Sequence, residues 1–239
     1  MRQGKKILAV IPARGGSKGI PKKNIQPVAG KPLIYYTTEL LRELPWVDAA
    51  VVSTDNEEIS DEASKAGTAK IVWRPPELSG DRVGDMPVLS HALAEAENEL
   101  IQSFDLVIML QPTSPLRTSA DVESCVDRLL GGEWDSVWTV SETDSSYHPK
   151  KQVKISGTGV LEFFLDDAAQ IVARQELEPS FHRNGVCYAF TSEFVRSSTS
   201  VFSPGRSTAV VTAGRHISID TVADLRAAEE MILQRSTTQ

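Results

Sequence analysis

Short runs of consecutive apolar residues alternate along this chain with longer stretches of helical spacing. Residues 6–11, "KILAVI", form the unbroken apolar run that a strand buried on both faces needs. Residues 32–44, "PLIYYTTELLREL", then place apolar side chains at helical intervals behind a proline suited to a first turn. The alternation predicts a strand over 48–55, a short helix over 56–67 closed by Gly67, and a strand over 69–75. A long amphipathic helix follows over 85–104, then a buried strand over 105–111, "DLVIMLQ", and the turn "PTSPLR". A helix over 119–132 and a strand over 135–140 complete the run. Such βαβα alternation predicts an α/β fold, a mostly parallel sheet with helices on both faces.

Residues 141–183 break the rhythm with alternating rather than helical spacing, and read as an antiparallel excursion from the sheet, with dimerisation as a role open to it. Strands over 184–191 and 207–214 and a terminal helix over 221–235 return to the pattern. With 239 residues, 41% of them hydrophobic, the chain suits one domain or one domain with an insertion. A net charge of -7 argues against a general nucleic-acid or anionic-membrane surface, so neither partner is expected. The first apolar run is too short for a signal segment or a membrane span, which makes a cytoplasmic protein the expectation. Cys125 and Cys187 sit in apolar surroundings and read as buried thiols. His91, His148, His182 and His216 form no metal-ligand spacing.

Against this acidic background, "VIPARGGSKGIPKKN" (10–24) concentrates Arg14, Lys18, Lys22 and Lys23 among Gly15, Gly16 and Gly19. Glycines let backbone N–H groups approach an anion, Ser17 adds a hydroxyl, and the cations compensate charge. Neither GxxxxGK[ST] nor GxGxxG is present, and Pro21 stands where a phosphate-loop helix would begin. Open parallel sheets bind ligands at the carboxyl ends of their strands. The loop at 12–24, "STDN" after the second strand and "QPTSPLR" after the central one therefore converge on one crevice.

"IPARGGSKGIPKKNI" followed by "GKPLI" resembles the signature of the CMP-N-acylneuraminate cytidylyltransferases (CMP-sialic acid synthetases). "VVSTDNEEIS", "RPPELSGD", "LQPTSPLRT", "DSVWTV", "HPKK", "RQELEPSFHRNGVCYAF" and "SIDTVADL" extend the likeness in order over residues 7–225. The resemblance implies a Rossmann-like nucleotidyltransferase domain of glycosyltransferase-A type filling residues 1–239, with 141–183 as a dimerisation and sugar-binding insertion. It also implies a homodimer, Mg²⁺, and transfer of CMP from CTP to an acidic sugar with loss of pyrophosphate.

By the same resemblance, Arg14, Lys23, Gln111 and Asp220 are the catalytic set. Ala13, Arg14, Gly15, Ser17, Lys18, Lys23, Asn24, Arg74 and Asp81 surround the nucleotide. Gln111, Thr113, Ser114, Arg117, Lys151, Arg174, Asn184 and Tyr188 surround the sugar acid, whose carboxylate calls for Lys151 and Arg174. Structural duties remain open for several of these: Arg74 as a strand end, Ser114 as a cap, Tyr188 and Phe190 as core, Asp220 as cap of the last helix.

One departure concerns the metal. Where the family shows two aspartates at i and i+2, this chain has Ser218 and Asp220, leaving one carboxylate for Mg²⁺. Asp224 lies inside the following helix and is the poorer candidate. The departure keeps two alternatives open: a different acceptor, such as a 3-deoxy-octulosonate-like sugar or a phosphonate, and a weakly active nucleotide-binding homologue.

Overall fold

A computed structural model describes residues 1–170 and 173–237, without the side chains of Gln170, Arg174, Ser236 and Thr237. Its centre is strand β1 (Ile7–Pro12), whose first five residues are all buried. Such burial on both faces is what an uninterrupted apolar run permits. β1 pairs in parallel with β4 (Ala49–Thr54) on one side and β6 (Leu106–Met109) on the other. β5 (Lys70–Trp73) extends the β4 edge in parallel. Across β6 lie β10 (Phe181–Thr191), β7 (Ser136–Glu142) and β11 (Ser207–Val211), giving the order β11-β7-β10-β6-β1-β4-β5. β10 alone runs antiparallel to its neighbours. The small pair β2 (Pro27–Val28) and β3 (Lys31–Pro32) leads into the first helix.

Helices cover both faces. Ile7, Ala9 and Ile11 pack with Ile34 and Leu40 of α1 (Leu33–Leu40), Ile59 and Ala63 of α2 (Glu57–Ala66), and Val122 and Cys125 of α4 (Ser119–Leu130). Leu8 and Val10 face Met86, Leu89 and Leu93 of α3 (Asp85–Leu100) and Val195 of α5 (Ser192–Ser197). The helix ends carry ordinary signals. Gly67 takes φ 65° after α2, and Thr118 and Asp121 form a capping box on α4. The last helix, α6 (Val222–Thr237), is anchored where Glu229 accepts a hydrogen bond from the Ala29 amide.

The structure departs from the sequence-based elements in particular places. α1 ends at Leu40 and tightens into a 3-10 turn, Leu41–Glu43. α3 stops at Leu100 because Ile101 turns into the left-handed region at φ 51°. β10 begins at Phe181 rather than 184, and neither the β2–β3 pair nor α5 is foreseen by apolar spacing, since both are too short to show a period. Between β7 and β10 the excursion carries a hairpin of its own, β8 (Val153–Ile155) with β9 (Leu161–Phe163), whose residues are all exposed.

The pairing of β10 with β7 shifts register between Arg183 and Tyr188. Asn184 holds that bulge. Its amide donates to Ser141 Oγ at 3.0 Å and Thr212 Oγ1 at 2.8 Å. Its oxygen accepts from Thr139 Oγ1 at 2.8 Å and the Val186 amide at 3.1 Å. Replacing Asn184 with Ala strands these buried and half-buried partners. Urea unfolding of Asn184→Ala is expected to show a loss of about 2–3 kcal/mol. An unchanged midpoint would mean that the bulge is held by backbone pairing alone.

Candidate active site

The loop after β1 is anchored at both ends before it exposes its cations. The Ala13 amide donates to Ser53 O at 2.9 Å, and Asn24, itself buried, donates from its carboxamide to Arg14 O at 3.0 Å. Asn24 therefore shapes the loop from within. The Gly15 amide is held by Asp55 Oδ1 at 2.7 Å, and a side chain at Gly15 would strike Asn56. Ser17 lies half-buried, its amide bonded to Gly15 O at 3.0 Å. Lys22 adopts φ 53° and pairs with Glu58, away from the others.

Three cations remain at the crevice, each facing a carboxylate. Arg14 Nη1 meets Asp81 Oδ1 at 2.7 Å, and Lys18 Nζ meets Asp81 Oδ2 at 2.6 Å. Hydrogen bonds from Lys18 and Arg14 hold the Asp81 carboxyl below the usual carboxylate range. Lys23 Nζ donates to Ile219 O at 2.8 Å and Asp220 Oδ1 at 2.9 Å. A fixed anion thus sits where a mobile one can replace it.

The segment carrying Ser218 and Asp220 is held between this loop and the turn after β6. Ile219 donates its amide to Thr113 O at 2.9 Å, and a Cβ on Gly19 would lie 2.5 Å from Asp220 O. Asp220 does not cap the last helix. Thr221 and Asp224 do so: Thr221 Oγ1 accepts from the Asp224 amide, and Asp224 Oδ2 accepts from the Asp220 and Thr221 amides. The Asp220 side chain stays 73% exposed and available.

Behind the crevice the residues assigned to the sugar divide. Gln111 faces it, and Ser218 stands beside it near Gly185. Arg117, Ser114 and Asn184 instead spend their polar atoms inside the protein. The buried Arg117 guanidinium donates to Gln111 O at 2.6 Å, to Val186 O and to Thr37 Oγ1 at 3.1 Å, and its burial lowers its pKa to about 10. Ser114 Oγ donates to Gly185 O at 2.9 Å. Thr113, half-buried, contributes its carbonyl to the Asp220 segment. Tyr188 is core: it stacks on Phe190 at 6.5 Å, and burial raises its phenol. Lys151 is exposed at the root of the excursion, and the side chain of Arg174 lies outside the described residues.

A smaller cleft opens beyond Arg14, of about 180 Å³, lined by Arg74, Leu78, Asp81, Val83, Asp85 and Gln111 among others. Arg74 lies almost wholly buried, donating from Nε to Ser53 Oγ at 3.2 Å and from Nη2 to Ser53 O at 2.9 Å. Burial lowers its pKa. Asp55, Asp85 and Arg183 escaped the sequence reading, although "STDN" and "FHRNGVCYAF" were marked as blocks. Only a structure separates Arg183, whose charge acts on Asp85, from its neighbours in those blocks.

Residues 8–222 match the cytidylyltransferase family. The chain is 30% identical over 224 residues to the pseudaminic acid cytidylyltransferase of Campylobacter jejuni, covering 94% of this chain and 95% of that one. It is 33% identical over 192 residues to the N-acylneuraminate cytidylyltransferase of Streptococcus agalactiae, covering 79% of this chain and 44% of that longer protein. Among solved structures, CMP:2-keto-3-deoxy-manno-octonic acid synthetase complexed with CTP shares the fold at a TM-score of 0.70 and 18% identity, covering 96% of this chain and 99% of that one.

The approach of Gly19 to Asp220 gives a test of this geometry. Gly19→Ala forces the cationic loop off the Asp220 segment and draws Lys23 with it. Calorimetry with tripolyphosphate is expected to show roughly tenfold weaker binding, the worth of one charge-assisted contact, with an unchanged circular dichroism spectrum. Equal affinity would show that the approach does not set the position of Lys23.

Proposed function

The chain belongs to the cytidylyltransferase family, and from that footing we propose that it transfers CMP from CTP to the anomeric hydroxyl of a nonulosonic acid, releasing pyrophosphate. The observation that carries the reading is the trio Arg14, Lys18 and Lys23 at the carboxyl edge of the sheet, each resting on a carboxylate that a phosphate can displace. In the transfer, the hydroxyl oxygen bonds to the α-phosphorus while the bond to the pyrophosphate oxygen breaks. Pyrophosphate leaves with the electron pair, and the hydroxyl proton passes to solvent.

Arg14 and Lys18 exchange Asp81 for phosphate oxygens and neutralise the leaving group as its charge grows. Lys23 does the same beside Asp220. The Ser17 hydroxyl lines the phosphates, the amides of Ala13 and Gly15 fasten the loop to Ser53 and Asp55, and Asn24 keeps it in shape. Gln111 orients the acceptor, with Lys151 and Arg174 for its carboxylate. Arg117, Ser114, Thr113 and Asn184 position that surface from behind.

Mg²⁺ fits the donor set in a limited way. Among the described residues no group of three His, Cys, Asp or Glu side chains gathers to hold an ion. Asp220 with phosphate oxygens and water suffices for a cation that keeps much of its own hydration. When bound, it would supply further charge neutralisation on the phosphates.

The whole chain acts as one such domain, and a homodimer completes the reading. Ile155, Leu161, Phe163 and Phe164 stand exposed on the β8–β9 excursion. An apolar patch of this kind, on the segment carrying Lys151, suits the same face of a second copy. No described helix is long and apolar enough to cross a membrane, and the need for CTP supports a cytoplasmic location.

Two measurements test these readings. Pyrophosphate release with CTP and Mg²⁺ is expected with one member of a panel of N-acetylneuraminate, legionaminate and pseudaminate, and not with 3-deoxy-manno-octulosonate or without sugar. Silence across the panel while CTP binds would overturn the acceptor class. Light scattering is expected to give twice the 26.1 kDa chain mass, falling to one chain in Phe164→Asp. A wild-type monomer would sink the dimer.

A further inference from the structure

Asp81 stands in a segment that little else ties down. It lies between the 3-10 turn Pro76–Leu78 and α3, with Gly80 before it and Gly84 closing the segment. Ser79 is fixed to that turn, its amide bonded to Pro76 O at 3.1 Å and its hydroxyl to Pro75 O at 3.0 Å. From Gly80 to Val83 the backbone makes one internal bond, from the Val83 amide to Gly80 O at 3.3 Å. Among the described residues, the hydrogen bonds and ion pairs that join 80–83 to the rest of the chain are those of Asp81 to Arg14 and Lys18. A Cβ on Gly84 would meet nothing within 4 Å, so no neighbour blocks that side of the segment. Both contacts of Asp81 lie at the surface, with its side chain 38% exposed and that of Lys18 79% exposed. Exposed pairs of this kind are weak singly and exchange readily.

We propose that Asp81 is the residue that expels pyrophosphate. It acts as a tethered carboxylate that yields Arg14 and Lys18 to CTP and reclaims them once the bond to the α-phosphate has broken. This rests on the reading of the chain as a CTP-using transferase. Cations that neutralise a leaving group during transfer also hold it afterwards, so its release becomes a step of turnover. A carboxylate on a short segment competes at a high effective concentration and weakens every occupant of those cations by the same factor. CTP carries a nucleoside whose contacts this competition leaves alone. Pyrophosphate, once separated, is held by its charges only. A uniform handicap therefore falls hardest on the product that has no other grip.

The second carboxylate at the crevice is built differently. Asp220 holds Lys23 from a segment fastened by Ile219 to Thr113 O and pressed against Gly19. Its carboxylate meets one cation from a fixed place, whereas Asp81 bridges two from a segment that nothing else holds. Asp81 is thus the anion suited to leave and return.

The test is calorimetry of pyrophosphate with wild type, Asp81→Asn, Asp81→Ala and Glu99→Gln. Glu99 pairs with Lys70 at the amino edge of the sheet, so its loss changes the net charge equally without touching the crevice. Both Asp81 variants are expected to bind pyrophosphate roughly fivefold more tightly than wild type, the strength of two exposed ion pairs, with Glu99→Gln unchanged. Inhibition of the CTP reaction by added pyrophosphate is expected to deepen by the same factor. A gain in affinity is not what a damaged fold produces. Binding that is unchanged or weaker in both Asp81 variants, or tightened equally in Glu99→Gln, overturns the role of Asp81 and leaves the transferase reading in place. A wild type that binds neither pyrophosphate nor CTP overturns that reading, and the role of Asp81 with it.

Discussion

The guanidinium of Arg117 is the fastening on which the crevice depends. It is buried, and among the described residues its hydrogen bonds go to the carbonyls of Gln111, Val186 and Gly185 and to the Thr37 hydroxyl, with Asp121 near enough to favour its charge. Carbonyl oxygens satisfy its donors without an ion pair, and burial still depresses its pKa. One side chain thereby joins the turn after β6, the bulge of β10 and helix α1. Together with Ser114, which donates to Gly185 O, it ties Gln111 and Gly185 to a common frame.

The opposite side is organised by charge. Asp81 bridges Arg14 and Lys18, and Asp220 holds Lys23, so the cations are pre-placed by internal anions at surface sites where ion pairs are weak. Weakness is useful here, because a polyphosphate with several charges competes easily against single carboxylates. The two sides meet where Ile219 bonds to Thr113. Preorganisation comes from buried neutral contacts, and exchangeability from exposed charged ones.

Much of the architecture was legible in the apolar pattern, because β1 and β6 are buried on both faces and α2 and α4 carry their own caps. The direction of β10 was not. A strand buried on both faces reads the same forward and backward, so "NGVCYAFT" concealed its reversal. The cationic loop could be found from residue types alone, and the Asp220 segment from the family resemblance. What failed was the distinction between polar residues that face a ligand and those that face the protein. Arg117, Ser114 and Asn184 have ligand-like identities and structural partners, whereas Asp85 looks like an ordinary first-turn acid and stands open. Sequence names the functional group; only packing says which way its hydrogen bonds go.

The reversal of β10 also determines how this architecture can change. Because β7 ends and β10 begins at the crevice, with Glu142 paired to Phe181, the excursion leaves and rejoins the sheet at one place. Chain can be lengthened, shortened or exchanged between those two fixed roots without disturbing a single core strand. The fold therefore separates a fixed sheet, which carries the cationic loop, from an insertion rooted at one point of its edge, free to vary in length.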